Sequence, residues 1–162
     1  MLVRSFLLAL LFHLFAINTC LSQELKFGPA IVQNYHQGAA PIIDGKYEVY
    51  FKKKKNQEIS IDSIKSVADG KTLPFVLFKK KADKLYNNYT GNKITPSEKG
   101  TFRINFDIVK LNGDGPWLAY TEENMPIQYD MSKGVRIYYS LMGKSKSSIL
   151  TTFKEYPTLA RP

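Results

Sequence analysis

Strict alternation of apolar and polar side chains is the feature of this sequence that most narrows its fold. Over residues 101–108 every second residue is apolar: Phe102, Ile104, Phe106 and Ile108. Residues 47–52 and 135–141 repeat the pattern. Because successive side chains of a β-strand point to opposite faces, these segments predict strands with one buried face and one face in water. No segment sustains the 3.6-residue period of a helix, so the sequence predicts an all-β protein.

Shorter segments fill the gaps between these three strands. Residues 59–62, 73–78, 117–120 and 148–153 are rich enough in apolar, β-branched and aromatic residues to predict further strands. Residue pairs that form turns and end in glycine, such as Asp69-Gly70, separate many of these segments. About seven short strands with regular turns predict an antiparallel β-sandwich, for which an immunoglobulin-like architecture is one arrangement. Segment 73–78 is apolar on both faces, so we expect it to be more fully buried than the others.

The first 22 residues have the composition of an export signal. Arg4 supplies a positive charge, residues 5–17 are almost entirely apolar, and the small residues Cys20 and Ser22 suit a signal peptidase. The apolar stretch of roughly 13 residues falls short of the ~20 that a membrane-spanning helix needs. We therefore predict a cleaved signal peptide over residues 1–22. Residues 23–162 then form a single β-sandwich domain, with an irregular lead-in over residues 23–44.

Two alternatives to cleavage stay open for this segment. One is an uncleaved membrane anchor, and the other is lipidation at Cys20, although Ile17, Asn18 and Thr19 fit a bacterial lipobox poorly. Since no later stretch is long and apolar enough to span a bilayer, we predict no transmembrane span in the mature chain. The expected location is outside the cytoplasm: periplasmic, associated with the outer membrane, or secreted.

Residues that many enzymes and metal sites require are scarce in this sequence. Cys20 is the only cysteine, and His36 is the single histidine after residue 22. The mature chain therefore lacks a disulfide, a thiol nucleophile, a cysteine-ligated zinc site and a site built on paired histidines. It also lacks a glycine-rich phosphate loop and a Gly-x-Ser-x-Gly elbow. We predict a non-enzymatic protein without a cofactor, and a hydrolase with an unrecognised site is an alternative.

Two lysine runs are the most prominent candidate site. They comprise Lys52, Lys53, Lys54 and Lys55 after one predicted strand, and Lys79, Lys80 and Lys81 after another. If both strand ends lie on one rim, seven ammonium groups form a cationic patch that attracts anionic polymers or membrane surfaces. The alternative is a set of solvated lysines that guard strand ends against edge-to-edge association.

Basic residues here are mostly lysine, which bears on the choice of partner. The net charge is +9, yet only 4 of the 23 basic residues are arginine, the residue that favours bidentate phosphate and base recognition. A nucleic-acid partner is therefore not expected. The sequence predicts an exported interaction or structural module of the bacterial cell envelope. Its partner would be an envelope protein or an anionic glycan or lipid, and in the alternative prediction the lysine runs bind an anionic envelope polymer or lipid.

Overall fold

The structure, a computed structural model, describes residues 25–36, 43–82, 85–110, 117–120, 125–151 and 153–160. These residues form thirteen strands and no helix. The strands are β1 (Ala30–His36), β2 (Ile43–Lys53), β3 (Ile59–Ser66), β4 (Phe75–Ala82), β5 (Leu85–Tyr89), β6 (Lys93–Ile94), β7 (Gly100–Phe106), β8 (Val109–Lys110), β9 (Trp117–Tyr120), β10 (Pro126–Tyr129), β11 (Val135–Leu141), β12 (Lys144–Leu150) and β13 (Phe153–Ala160). In this described part of the chain, no helix could span a membrane. The predicted signal peptide lies outside the described residues.

The thirteen strands form three sheets. The largest has the order β13-β1-β2-β7-β4-β5, the second β12-β11-β3-β6, and the third β10-β9-β8. Strand β1 pairs with β13 in parallel, and the other pairs of the described strands are antiparallel. The predicted all-β, antiparallel fold is therefore confirmed, and the arrangement is consistent with a β-sandwich. Antiparallel sheets tolerate water on one face, which accounts for the alternation in the sequence.

Side chains of the inward faces form one hydrophobic core. The apolar residues that alternation assigns to the inward face of β7 and β11 are buried: Phe102, Ile104, Phe106, Val135, Ile137, Tyr139 and Leu141. The ring of Phe27 lies 5.5 Å from that of Phe51 in the six-stranded sheet. The same ring lies 5.4 Å from that of Tyr139 in the four-stranded sheet. These two sheets therefore pack face to face across a shared core.

The structure corrects three details of the sequence prediction. The lead-in, expected to be irregular over residues 23–44, contains β1, and β2 already begins at Ile43. Segment 73–78 is not buried on both faces, because Val76 points to the outer face and is 38% exposed. About seven strands were expected, and the additional ones include β1 and β13, where an irregular lead-in was expected or no strand was predicted, as well as short or polar strands. Strand β6 has two residues and β5 contains two asparagines, so neither shows an apolar period.

Candidate functional site

The two lysine runs end at the same rim of the six-stranded sheet. Strands β2 and β4 both pair antiparallel with β7, one on each side of it. In β2, Lys53 pairs with Gly100, the first residue of β7. In β4, Lys79 pairs with Phe102, two residues further along β7. The carboxyl ends of β2 and β4 therefore lie side by side where β7 begins.

Two of the seven predicted lysines, Lys53 and Lys79, lie on the inward face of the sheet. Lys53 continues the inward series of β2 after Phe51 and is only 3% exposed. Its Nζ donates to the carbonyl oxygens of Glu98 and Lys54. Burial lowers the pKa of Lys53. Lys79 also lies on the inward face, with its Nζ 2.9 Å from Glu98 Oε1. Five of the seven predicted lysines are thus exposed, while Lys53 is buried and Lys79 is partly covered, because the strand alternation extends into both runs.

A further lysine joins the five that are exposed. Lys99 precedes the first residue of β7 and is exposed. Its loop is tied to the loop after β2, since the Asn56 N–H donates to the Pro96 carbonyl at 2.9 Å. We name the exposed set the lysine rim: Lys52, Lys54, Lys55, Lys80, Lys81 and Lys99. Lys99 is an isolated lysine in the sequence, and only strand pairing brings it to the two runs.

Glu98 contacts several side chains on the inward side of this rim. Its Oε2 accepts hydrogen bonds from the Tyr89 hydroxyl and, at 3.3 Å, from Thr95 Oγ1, while Oε1 contacts Lys79. Burial disfavours the charged carboxylate, but these partners outweigh burial and lower the pKa of Glu98 to about 2. Burial and the bond to Glu98 raise the pKa of Tyr89 to about 12. We name Glu98, Lys79, Tyr89 and Lys53 the inner cluster.

The outer face of the same sheet carries a second charged cluster, centred on Arg103. Arg103 Nη1 lies 3.2 Å from Glu48 Oε1, and the Tyr50 hydroxyl donates to Glu48 Oε2 at 2.6 Å. The guanidinium carbon lies 4.8 Å from the ring centroid of Phe78 and 4.5 Å from that of Tyr86. Glu48 is only 3% exposed although it points away from the core. We name Tyr50, Phe78, Tyr86 and Arg103 the aromatic face.

The environment of this face perturbs its polar groups. Burial, followed by the hydrogen bond to Glu48, raises the pKa of Tyr50 to about 12. Arg103 Nε and Asn105 Oδ1 are buried and have no hydrogen-bond partner among the described residues. A buried polar group left unpaired costs about 1–3 kcal/mol. One donor and one acceptor therefore stay unsatisfied two residues apart, on the same face of β7.

Strand pairing makes the aromatic face continuous with the lysine rim. Tyr50, Arg103 and Phe78 form one cross-strand row on β2, β7 and β4. The next row towards the rim contains Lys52, which pairs with Thr101. Since successive residues on one face of a strand are about 7 Å apart, the ammonium-bearing row adjoins the aromatic row. A flat polar and aromatic surface thus ends in a cationic border.

Sequence reasoning missed the aromatic face, although part of its signal was present. The alternation that assigns Tyr47 and Phe51 to the core also assigns Glu48 and Tyr50 to the outer face. The same argument points Arg103 outward on β7. Outward aromatic and charged residues on predicted strands were therefore visible. The sequence pattern did not reveal that β2, β7, β4 and β5 are neighbours in this order.

The structure does not describe the side chains of His36 and Cys20, and it places two further aromatic residues in the core. These two are Trp117, at the start of β9, and Tyr129, at the end of β10, and both are buried. Within the described ranges, no group of three or more His, Cys, Asp or Glu residues could hold a metal ion. Compared with known proteins, the chain matches no family model, no curated protein and no solved structure. Its function is therefore argued from the geometry of the rim and the aromatic face.

Proposed function

We propose that the protein is an exported, non-enzymatic binding module of the bacterial cell envelope, and that its lysine rim holds an anionic polymer. The observation that carries the proposal is the convergence of both lysine runs, together with Lys99, at one rim. Strands β2, β7 and β4 are adjacent, so the rim is about 10 Å wide from β2 to β4. Exposed like charges at such spacing attract a polyanion and raise its local concentration.

The chemistry of the rim favours a polymer with repeated negative charges over a small ligand of defined shape. An ammonium group is a compact point charge on a flexible stem and lacks the fixed fork of a guanidinium. Glu98, the acid beside the rim, is engaged by Lys79 and Tyr89. The summed attraction of the exposed lysines grows with each charge of the ligand that comes within reach.

Matched charge variants test the proposal by salt-titrated binding to an acidic polysaccharide. The rim variant carries Lys52→Ser, Lys54→Ser and Lys81→Ser, and the control carries Lys71→Ser, Lys133→Ser and Lys144→Ser, three exposed lysines outside the rim. A lysine near an anionic surface contributes about 1 kcal/mol, so we expect a roughly 100-fold loss of affinity for the rim variant. The control should stay close to the unmodified protein. Equal losses in both variants would refute a role for the rim.

Vesicles of anionic phospholipid distinguish a polymer from a lipid surface. At matched charge concentration, we expect the protein to bind the acidic polysaccharide more tightly than the vesicles. The reverse order, with the same dependence on Lys52, Lys54 and Lys81, would assign the rim to a membrane surface and overturn the polymer proposal.

A further inference from the structure

We infer that the polymer is an acidic polysaccharide whose sugar rings lie on the aromatic face while its acidic groups meet the lysine rim. This inference rests on the proposed function, and it adds the chemical class of the polymer and a second surface that recognises it. The two surfaces are adjacent on one sheet, so a single extended ligand can contact both.

The aromatic residues are placed to meet sugar rings. Tyr50, Phe78 and Tyr86 are half-buried on the outer face of an antiparallel sheet, and the rings of Tyr50 and Tyr86 lie 5.8 Å apart. Aromatic side chains of this kind offer apolar rings together with a polar tip. The C–H faces of a sugar pack on such rings, whereas a bare phosphate chain has no apolar surface to bury. The face therefore discriminates between polyanions of equal charge.

Neutral polar groups complete the surface. Thr101 lies beside Lys52, and Asn88 is exposed on β5 opposite Phe78. Arg103 Nε and Asn105 Oδ1, on the same face of β7, are buried and have no hydrogen-bond partner among the described residues. A hydroxyl group both donates and accepts hydrogen bonds, so a sugar that reaches these atoms can satisfy both. A phosphate diester only accepts and leaves Asn105 Oδ1 unpaired.

The charge of the surface selects an acidic rather than a neutral polysaccharide. Arg103 is already paired with Glu48, so the positive charge available to a ligand comes from the rim. Lys52 adjoins the aromatic row on β2, and Lys80 pairs with Tyr86 across β4 and β5. An acidic group on a sugar that packs against the aromatic face lies within a few ångströms of these lysines. Ring contact and charge contact are then made by the same ligand.

Two polyanions separate ring recognition from charge attraction. Polygalacturonate supplies sugar rings with carboxylates, and inorganic polyphosphate supplies charge without rings. For Tyr86→Ala we expect a roughly tenfold loss of affinity for polygalacturonate and unchanged affinity for polyphosphate, because only the ring contact is removed. Tyr86→Phe should retain binding. Tyr138→Ala, on the outer face of the four-stranded sheet, is the matched control and should change neither affinity.

The outcomes distinguish this inference from the proposed function. If Tyr86→Ala leaves both affinities unchanged, or lowers both equally, the aromatic face does not recognise sugar and the inference is overturned. The proposed role of the lysine rim still stands in that case, provided that the rim variant has a lower affinity for both polyanions. If the rim variant lowers neither affinity, the proposed function itself fails. A urea midpoint for each variant confirms that the affinities compare folded proteins.

Discussion

The inner and outer faces of the six-stranded sheet each hold a carboxylate, a tyrosine and a base. The two groups differ in where the carboxylate comes from and in how deeply it is buried. In the inner cluster, Glu98 comes from a loop and reaches Tyr89 and Lys79 at the rim. On the outer face, Glu48 belongs to β2 itself and meets Tyr50 and Arg103 on paired strands. The Glu98 side chain is 22% exposed, whereas Glu48 is almost fully buried.

This difference indicates that Glu98 and Glu48 stabilise different parts of the sheet. The Glu98 contacts fasten a loop to the sheet and thereby fix the position of Lys99 in the rim. The Glu48 contacts hold a guanidinium between aromatic rings on a face that would otherwise be plain solvent-exposed sheet. Because the penalty for an unpaired charge grows with its burial, the outer pair should be the more costly one to break.

The largest expected effect comes from Glu48→Gln. The substitution removes the negative charge while the Arg103 guanidinium stays mostly buried, so we expect a loss of about 3 kcal/mol in the free energy of unfolding, measured by urea denaturation. The double variant Glu48→Gln/Arg103→Met should lose less than the sum of the two single variants. Strict additivity would show that the two groups are not coupled.

A smaller, pH-dependent effect is expected for Glu98→Gln. The pKa of Glu98 is about 2 in the folded protein against 4.5 for an unperturbed glutamate, so its ionised form stabilises the fold above pH 4.5. That stability is lost as the pH falls through about 2. Allowing for solvent screening, we expect Glu98→Gln to cost about 2 kcal/mol at pH 7 and progressively less between pH 4.5 and 2.

Unfolding curves of both proteins across this pH range test the Glu98 prediction. Glu58→Gln is the control, because Glu58 pairs with Lys93 at 3.1 Å with both side chains well exposed. An exposed pair of this kind contributes at most about 1 kcal/mol. A Glu98→Gln difference that does not change with pH would contradict the assignment of the lowered pKa to the inner cluster.

The smallest effect is expected for Lys53→Met. The substitution removes two hydrogen bonds to carbonyl oxygens but also the desolvation cost of a buried ammonium, so stability at pH 7 should change by less than about 1 kcal/mol. The lowered pKa of Lys53 makes the unmodified protein gain stability as the pH rises towards 10.5. The variant should lack that gain, and unfolding curves at pH 7 and pH 10 would reveal it. A large loss at pH 7 would make Lys53 an essential member of the inner cluster.

Parts of the candidate site could be predicted from the sequence. The runs containing Lys52 and Lys79 identified the strand ends that form the rim. The same alternation, extended by one residue beyond Lys52, would have placed Lys53 on the inward face. Polar edge strands such as β5 gave no such signal, because a strand without a buried side has no apolar period to detect.

What the sequence by itself determined is the class of structure and the face on which most strand residues lie. Those features follow from the two-residue period of a strand, which is a local property of the chain. Only the tertiary structure decided that β7 lies between β2 and β4, that Lys99 joins the rim, and that Arg103 lies between Phe78 and Tyr86. Strand order and register depend on packing among segments far apart in the chain, and the period of one segment contains no information about its neighbours.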